Sequence, residues 1–210
     1  MKNLLIIGGG GHGRVVADCA QACGRWRQIR FLDDRYPELQ RAGRWQVVGT
    51  SGEWPRFSDG QVDVLVGIGD NASRLGLQRK LEDAGCHLPA LVHPRAWVSP
   101  DASIGAGSVV FAGGMVNIDA HLGDAVIVNT GATVDHDCIL AEGVHLSPGV
   151  HLGGNVTIGP RSWLGLGAVV RNGVVIGSDT MIGAGAAVVS DLADGITVVG
   201  VPARPVPADD

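Results

Sequence analysis

The sequence predicts a two-part chain in which an α/β unit, built around a βαβ motif, is followed by a parallel β-helix. An aliphatic residue occupies every sixth position from Val92 to Val188, and the residue four places after each of them is small or slender. A six-residue repeat with one large and one small inward position is typical of short strands that meet at tight corners and stack coil upon coil. A glycine-rich turn between a strand and a helix predicts the α/β unit.

The α/β unit begins with four elements that the residue pattern delimits. We expect a buried strand at Leu4–Ile7, a turn at Gly8–Gly13, a helix at Arg14–Cys23 and a second strand at Ile29–Leu32. This order defines a βαβ unit.

The first turn carries a G-x-G-x-x-G spacing at Gly8, Gly10 and Gly13, and Asp33 follows Gly13 at a distance of twenty residues. Glycines at a helix N-terminus let phosphate approach the backbone N–H groups, and an acidic residue at that distance accepts ribose hydroxyl groups. The motif therefore favours a nucleotide site. The same glycines are also explained if they only pack the helix onto the strand, and both interpretations stay open here.

A third strand at Val62–Ile68 and a helix at Asn71–Ala84, closed by Gly85, complete the unit. A dinucleotide site needs two such halves and this unit supplies about one, so a nucleoside diphosphate fits better than NAD. A hydride-transfer enzyme is disfavoured for the same reason. The segment Arg35–Gly60 has weak periodicity, and we expect it to cover the nucleotide or its sugar.

Composition and charge exclude several partners. The chain has 210 residues and a formal net charge of −5, and its 16 Lys and Arg residues form no run, which argues against nucleic acid. The apolar run after Met1 is too short for a signal peptide or a membrane span, so we expect a cytoplasmic protein without membrane insertion. Four scattered cysteines predict reduced thiols, with Cys138 at a small inward position of the repeat.

His136 is the candidate for proton transfer. Acyl transfer to an amine or hydroxyl group needs a base, and histidine has a reference pKa near 6.5. His136 lies two residues after Val134, at an outward corner position, between Asp135 and Asp137. A flanking carboxylate fixes the imidazole tautomer and stabilises the imidazolium. Taken alone, the same pattern also describes a solvated corner of the repeat.

The whole chain resembles the bacterial nucleotide-sugar N-acetyltransferases and sialic acid O-acetyltransferases, which are hexapeptide-repeat acyltransferases. The segments that carry the resemblance are Gly11-His12-Gly13, Asp33-Asp34, Gly67-Ile68-Gly69-Asp70-Asn71 with Arg74, Val134-Asp135-His136-Asp137-Cys138 and Gly200-Val201-Pro202-Ala203-Arg204. It implies a Rossmann-like nucleotide-sugar-binding domain at residues 1–88, then a left-handed β-helix acyltransferase domain at residues 89–210 with a C-terminal extension. It also implies a homotrimer with sites between subunits.

The resemblance assigns roles residue by residue. It implies that His136 is the general base, that Asp137 is the acid beside it, where Glu is often found, and that His145 lies near the acetyl group. Gly154, one coil after His136, would polarise the thioester carbonyl through its N–H. The other cofactor-binding residues that it implies are Asn129, Gly165, Ala184 and Arg204. The substrate-binding residues that it implies are Gly10, Gly11, His12, Gly13, Asp33, Asp34, Gly69, Asn71 and Arg74.

These roles imply direct acetyl transfer from acetyl-CoA to the amine of a UDP- or GDP-linked 4-amino sugar in bacterial glycan biosynthesis, without a metal. O-acetylation of sialic acid or another sugar hydroxyl stays open, as does a non-catalytic nucleotide-binding protein.

His121 and His151 do not have the spacing of the zinc ligands in β-helix carbonic anhydrases. Three outward apolar residues are predicted to suit a subunit interface: Phe111, Ile118 and Ile127. Trp163 fits a coenzyme groove and an interface equally well.

Overall fold

The computed structural model of the chain describes residues 1–58 and 60–206. Residue 59, in the segment expected to cover the nucleotide, and residues 207–210, at the end of the predicted second domain, lie outside the described residues. The chain divides into two compact units, Met1–Pro94 and Arg95–Asp210. The roles assigned to the two predicted domains remain predictions.

The first unit contains a parallel three-stranded sheet and two helices. Its strands are β1 (Asn3–Ile7), β2 (Ile29–Leu32), β3 (Arg41–Ala42), β4 (Trp45–Gln46), β5 (Val62–Val66) and β6 (Leu91–Val92). Its helices are α1 (Gly11–Cys23), the 3-10 helix Ser51–Arg56 and α2 (Asn71–Asp83). The sheet order is β2-β1-β5, and β3 and β4 form a separate antiparallel pair. The predicted βαβ unit is confirmed.

Two predicted boundaries in this unit are wrong by two or more residues, and the start of β1 and the end of α2 each differ from the prediction by one residue. Helix α1 begins at Gly11 rather than Arg14, because Gly10 is the N-cap in extended conformation and the glycines after it are helical. Strand β5 ends at Val66 rather than Ile68. A side chain at Gly67 would place its Cβ 2.7 Å from the Cα of Gly13, so the chain leaves the strand where β5 meets the start of α1.

Close backbone contact holds α1 against the sheet. A Cβ on Gly13 would overlap the carbonyl oxygen of Gly8, which itself has a φ of 107° that favours glycine. Val16, Ala17 and Ala20 of α1 are buried. The third glycine of the motif is therefore a packing requirement, and it fixes the N-terminus of α1 at the carboxyl ends of β1 and β5.

The second unit is a left-handed parallel β-helix with three faces. The first face is formed by β7 (Trp97–Val98), β10 (Met115–Val116), β13 (Thr133–Val134), β16 (His151–Leu152), β19 (Val169–Val170) and β22 (Ala187–Val188). The second face is formed by β8 (Ser103–Ile104), β11 (His121–Leu122), β14 (Ile139–Leu140), β17 (Thr157–Ile158) and β20 (Val175–Ile176). The third face is formed by β9 (Val109–Val110), β12 (Ile127–Val128), β15 (His145–Leu146), β18 (Trp163–Leu164), β21 (Met181–Ile182), β23 (Thr197–Val199) and the antiparallel β24 (Arg204–Pro205).

Residues eighteen apart are neighbours on successive coils, as the repeat predicts. Thr133 pairs with His151 on the first face, and His145 pairs with Trp163 on the third. The aliphatic positions and the small positions both face the interior, as Val134 and Cys138 illustrate. The predicted interior of the β-helix is confirmed.

Every corner from residue 107 to residue 185 contains one residue with positive φ, three places after the aliphatic. Glycine occupies many of these positions, but Asp119, Asp137, Asn155 and Asp179 adopt the same left-handed conformation. Asp and Asn tolerate this region better than other side chains. The coil therefore imposes the left-handed conformation on corners that also carry polar side chains.

The prediction of an outward apolar surface is wrong for two of its three residues. Phe111 and Ile127 are only 2% and 1% exposed in the single chain, whereas Ile118 is 49% exposed. Phe111 and Ile127 belong to the third face and its following corner, which are covered at these coils, while Ile118 projects from the corner between the first two faces. No helix among residues 1–58 and 60–206 is long and apolar enough to cross a membrane.

Candidate active site

His136 lies at the corner between β13 and β14, where the chain passes from the first face to the second. Its side chain is half exposed, and its Nδ1 lies 2.6 Å from Oδ2 of Asp137. Asp137 has a φ of 58°. The left-handed conformation that the coil imposes at this position thus accompanies a carboxylate placed against the imidazole of the preceding residue.

The Asp137 contact sets both the tautomer and the basicity of His136. An Nδ1–H that donates to the carboxylate leaves the lone pair on Nε2, which then accepts a proton. The hydrogen bond to Asp137, followed by the negative charge of Asp135, raises the pKa of His136 above its ordinary value. This is the geometry that a general base and the carboxylate stabilising its protonated form require, and the catalytic roles of the two residues stay a prediction.

Gly154 lies directly against this imidazole, one coil farther along. A Cβ on Gly154 would lie 2.5 Å from both Cε1 and Nε2 of His136, so only glycine lets the ring occupy its place. The predicted neighbourhood of His136 and Gly154 follows from the eighteen-residue register. The structure brings together these two residues and Asp137.

The N–H of Gly154 is a candidate oxyanion donor. In the coil-to-coil ladder, Gly153 donates to the carbonyl of Val170 and Asn155 donates to that of His136, on either side of Gly154. At the matching corner position, the Thr130 N–H is accepted by Oδ1 of Asn129. Gly153 has no side chain with which to accept the Gly154 N–H in this way. The corner thus presents an amide beside the base.

A second group of predicted residues lies on and beside the third face. His145 is buried and stacks on Trp163, with ring centroids 5.0 Å apart and an interplanar angle of 8°. The indole Nε1–H of Trp163 donates to Oγ of Ser147 at 2.8 Å. Nδ2 of Asn129 lies 3.5 Å from Nε2 of His145. Sequence reasoning missed Ser147, although it lies eighteen residues after Asn129.

Small residues continue this group along the prism. We call Asn129, Ser147, Gly165 and Gly183 the small-residue column, since each follows a strand of the third face. Gly165 is required by stacking alone, because its Cβ would lie 2.7 Å from the amide nitrogen of Ala184. At the end of the column, β24 pairs Arg204 with Val199. A cofactor role for Gly165, Ala184 and Arg204 stays a prediction.

One chain does not bring the two groups together. His136 lies at the corner between the first and second faces, whereas His145 belongs to the third face. In a triangular prism that corner is opposite the third face. Apart from Gly154, the predicted coenzyme-binding residues of a single chain therefore lie away from His136, on and beside the opposite face of the β-helix.

The first unit gathers its predicted residues where β1 and β5 end. The chain leaves β1 towards β2 on one side, and β5 lies on the other, so the crevice between β1 and β5 is a topological switch point. A Cβ on Gly69 would lie 4.0 Å from Cβ of His12, which shows that the two loops meet there. A Cβ on Gly10 or on Gly11 would meet no atom within 4 Å. Open space thus adjoins a helix N-terminus that attracts anions.

Arg74 adds a buried positive charge to this crevice. Its guanidinium donates to the carbonyl oxygen of Gly69 at 2.9 Å and to Oδ1 of Asn71 at 2.9 Å. Burial lowers the pKa of Arg74 to about 10, so it remains cationic at neutral pH. Burial, and then the Arg74 charge, lower the pKa of His12 to about 4, so that imidazole is neutral. The crevice favours an anionic ligand.

The two acidic residues after β2 make local contacts. Asp33 accepts the N–H of Gly9 at 2.7 Å and a bidentate contact from the Arg35 guanidinium. The Arg35 hydrogen bond is the largest of the effects that lower the pKa of Asp33 to about 2. Oδ1 of Asp34 accepts both the N–H and the hydroxyl of Ser51. Asp33 therefore anchors the glycine-rich loop, a role that sequence reasoning missed, and its contact with ribose stays a prediction.

Within residues 1–58 and 60–206, no group of three or more His, Cys, Asp or Glu side chains is placed to hold a metal ion.

Comparison with known proteins agrees with the fold. Residues 3–81 match the family described as the PglD N-terminal domain. The chain is 46% identical to the acetyltransferase domain of PglB from Neisseria gonorrhoeae FA1090, solved in complex with acetyl coenzyme A, with 98% of this chain and 99% of that chain covered and a TM-score of 0.95. It is 41% identical to a variant of perosamine N-acetyltransferase from Caulobacter crescentus, solved with CoA and GDP-perosamine, with coverage of 99% and 98% and a TM-score of 0.92.

A third relative matches over part of its length. UDP-N-acetylbacillosamine N-acetyltransferase from Bacillus subtilis (strain 168) is 35% identical over 114 residues, which are 53% of this chain and 52% of that protein. The match thus spans about half the length of this curated relative. Together, the fold and the histidine corner define a hexapeptide-repeat acyltransferase. The chain belongs to the nucleotide-sugar N-acetyltransferase family of these enzymes.

We expect Gly154→Ala to displace the imidazole of His136 and to lower acetyl transfer by about 10²-fold, since a small misplacement of a reacting group has an effect of that size. The coil itself accepts alanine at this corner position, as Ala106 and Ala112 show. The measurement is the transfer rate together with the thermal unfolding midpoint. Asn172→Ala, at the same position one coil farther along, is the control. An unchanged rate in Gly154→Ala would contradict the assigned contact.

Proposed function

We propose that the protein transfers the acetyl group of acetyl-CoA to the amine of a nucleotide-linked 4-amino sugar. The observation that carries the proposal is the His136–Asp137 pair with the Gly154 N–H beside it. The relatives named above support the amine as acceptor, because each of those with a substrate in its name is an N-acetyltransferase. The Bacillus subtilis relative is named for a UDP-linked sugar, and the Caulobacter crescentus relative was solved with a GDP-linked sugar. The proposal therefore includes both nucleotides.

The reaction proceeds by direct transfer. Nε2 of His136 removes a proton from the sugar amine as its nitrogen attacks the thioester carbonyl, and Asp137 stabilises the resulting imidazolium. The N–H of Gly154 donates to the oxyanion of the tetrahedral intermediate. The C–S bond then breaks, and the CoA sulfur takes the proton from His136. No acyl-enzyme forms, in keeping with the buried position of Cys138, whose thiol pKa is raised by burial.

Acetyl-CoA runs along the small-residue column in this proposal. Its thioester lies at Asn129 and His145, and its phosphates lie towards Arg204. Coils are about 4.8 Å apart, so the five steps from Asn129 to Arg204 span about 24 Å, which suits an extended pantetheine arm. The Lys and Arg residues of the second unit are Arg95, Arg161, Arg171 and Arg204. Arg161 is paired with Asp179, and Arg204 is the cation at the end of the column.

The nucleoside diphosphate binds at the crevice of the first unit. Gly10 and Gly11 leave room for a phosphate at the N-terminus of α1, where backbone N–H groups and the helix dipole favour negative charge. Asn71 and Arg74 lie beside the neighbouring loop, and the Arg74 charge adds to the attraction for the diphosphate. Neutral His12 donates or accepts a hydrogen bond without opposing the anion.

A second copy of the chain completes the catalytic site. A C3 trimer brings the corner with His136 of one protomer to the third face of the next, where His145 and Asn129 lie. The exposed apolar side chains of the first face, Trp97, Met115 and Val169, support burial against other copies. The homotrimer is thus proposed to be required for activity.

The acceptor is tested by release of free thiol from acetyl-CoA against UDP- and GDP-linked 4-amino-4,6-dideoxy sugars and sialic acid. We expect turnover with a nucleotide-linked amine, and a loss of roughly 10²- to 10⁴-fold in His136→Gln, because a general base contributes that much. His121→Gln, a histidine on the second face, is the matched control. Turnover with sialic acid alone would refute the amine acceptor, and full turnover in His136→Gln would refute the base.

The nucleotide site is tested by Gly10→Ala. The added methyl group meets no protein atom, so the free energy of unfolding stays close to that of the unmodified chain, while the methyl group occupies the space proposed for phosphate. We expect the affinity for UDP or GDP, measured by titration calorimetry, to fall about tenfold or more. Gly52→Ala, which also has no atom within 4 Å of its Cβ, is the control. Equal affinities in the two variants would contradict a diphosphate site at this loop.

The shared site is tested by mixing His136→Gln with His145→Gln under conditions that allow subunit exchange. If the two histidines of a site come from different protomers, random exchange leaves about a quarter of the sites with both of them intact, and activity returns to about that fraction. Each variant alone is the control. One variant is labelled with 15N, so that mass measurements can show exchange. No recovery of activity after such exchange would place both histidines of a site in one chain.

A further inference from the structure

Asp135 holds the corner that carries His136. Its Oδ1 accepts the backbone N–H of His136 at 2.8 Å and the side-chain Nδ2–H of Asn117 at 2.9 Å. Asn117 lies eighteen residues earlier, on the preceding coil, and its backbone N–H donates to the carbonyl of Val134. One carboxylate oxygen therefore ties the peptide of His136 to the neighbouring coil.

The corner itself does not require a charged residue for this contact. At the corner after β12, the amide oxygen of Asn129 accepts the N–H of Thr130 at 2.9 Å, which is the same arrangement with a neutral side chain. A carboxylate at residue 135 thus adds something that an amide does not, namely a negative charge next to the imidazole. The hydrogen bond and the charge are separable contributions.

The charged groups near His136 among the described residues lie on its own corner and on the preceding coil. The imidazole is hydrogen-bonded to Asp137, and this bond and the negative charge of Asp135 raise its pKa. The preceding coil has Asp119 at its corner. The following coil presents Gly153, Gly154 and Asn155, which are uncharged. Asp119 is exposed to solvent, whereas Asp135 is partly buried and is bonded to the His136 peptide. A charge change at residue 119 is therefore a matched control for one at residue 135.

We propose that Asp135, oriented by Asn117, is a positioning residue that fixes the His136 peptide and keeps the imidazole basic. This inference rests on the proposed function of His136 as the base. Asp137 bonds the imidazole ring, whereas Asp135 acts on the backbone that carries it and through its charge. The two carboxylates that flank the base thus have different tasks.

Asp135→Asn separates the two contributions, because the amide oxygen still accepts both hydrogen bonds while the charge is lost. We expect the titration midpoint of the His136 imidazole to move to lower pH in Asp135→Asn, and to move less in Asp119→Asn. The measurement is an NMR pH titration of chain labelled at the histidine Cε1 positions, with the His136 signal assigned by its absence in His136→Gln. Equal midpoints in Asp135→Asn and Asp119→Asn would overturn the charge effect.

Kinetics then test the backbone contact. Asp135→Ala loses both hydrogen bonds, and we expect kcat to fall roughly 10- to 100-fold with KM for acetyl-CoA unchanged. Asp135→Asn is expected to keep most of the plateau kcat but to shift the acidic limb of the pH profile to lower pH. Asn117→Ala, which keeps both carboxylates, is expected to lower kcat by less than Asp135→Ala. Unchanged kcat in Asp135→Ala, or a loss expressed only in KM, would overturn the positioning role.

The NMR titration does not depend on turnover. If the unmodified chain transferred no acetyl group to any amino sugar, the proposed function would fail, while the midpoints would still decide whether Asp135 acts on His136. If turnover is present and the midpoints of the two Asp→Asn variants coincide, the inference fails and the function stands.

Discussion

The structure of the candidate site depends on one constraint, the hydrogen bonding of each coil of the β-helix to the next in an eighteen-residue register. Each corner must turn the chain from one face to the next within four residues, and from residue 107 to residue 185 it does so with one residue in the left-handed conformation. At the corner of residues 135–138 that residue is Asp137, whose carboxylate contacts His136. The same register sets Gly154 against the ring. The positions of His136, the Asp137 carboxylate and the Gly154 amide are thus consequences of the repeat and not of a separate loop.

Much of this arrangement was predictable, because the period alone determines which residues stack. Counting eighteen residues from His136 gives Gly154, and from His145 gives Trp163, and both contacts are present. The contact of Asn117 with Asp135 obeys the same arithmetic but was not predicted, since spacing shows which side chains are neighbours and not which atoms bond. The left-handed corners also left a signal that was overlooked: Gly, Asp and Asn predominate at every sixth position from Gly107 onward.

The errors occurred where local pattern and tertiary contact disagree. The glycines predict a turn, yet Gly11 and Gly13 are helical. Helix α1 approaches the backbone of Gly8 so closely that a side chain at Gly13 would overlap it. Phe111 and Ile127 occupy outward positions of the repeat and are nevertheless buried, because periodicity gives the direction of a side chain and not what covers it. For Asp33 the prediction is incomplete, because its distance to the glycine motif does not reveal that Arg35 and Gly9 bond its carboxylate, and the ribose contact stays a prediction.

A corner of the β-helix suits a general base better than a face does. On a face, each outward side chain has neighbours above and below at the coil spacing, so His145 is stacked on Trp163 and buried. At a corner the ladder uses the amides on either side, such as those of Gly153 and Asn155. The amide at the position between them donates to a side chain where one is available, as at Thr130 and His136. The ring of His136 stays half exposed to a substrate and still lies beside the Gly154 amide. In the proposed function, proton acceptance and oxyanion stabilisation therefore need no groups beyond those that two adjacent corners supply.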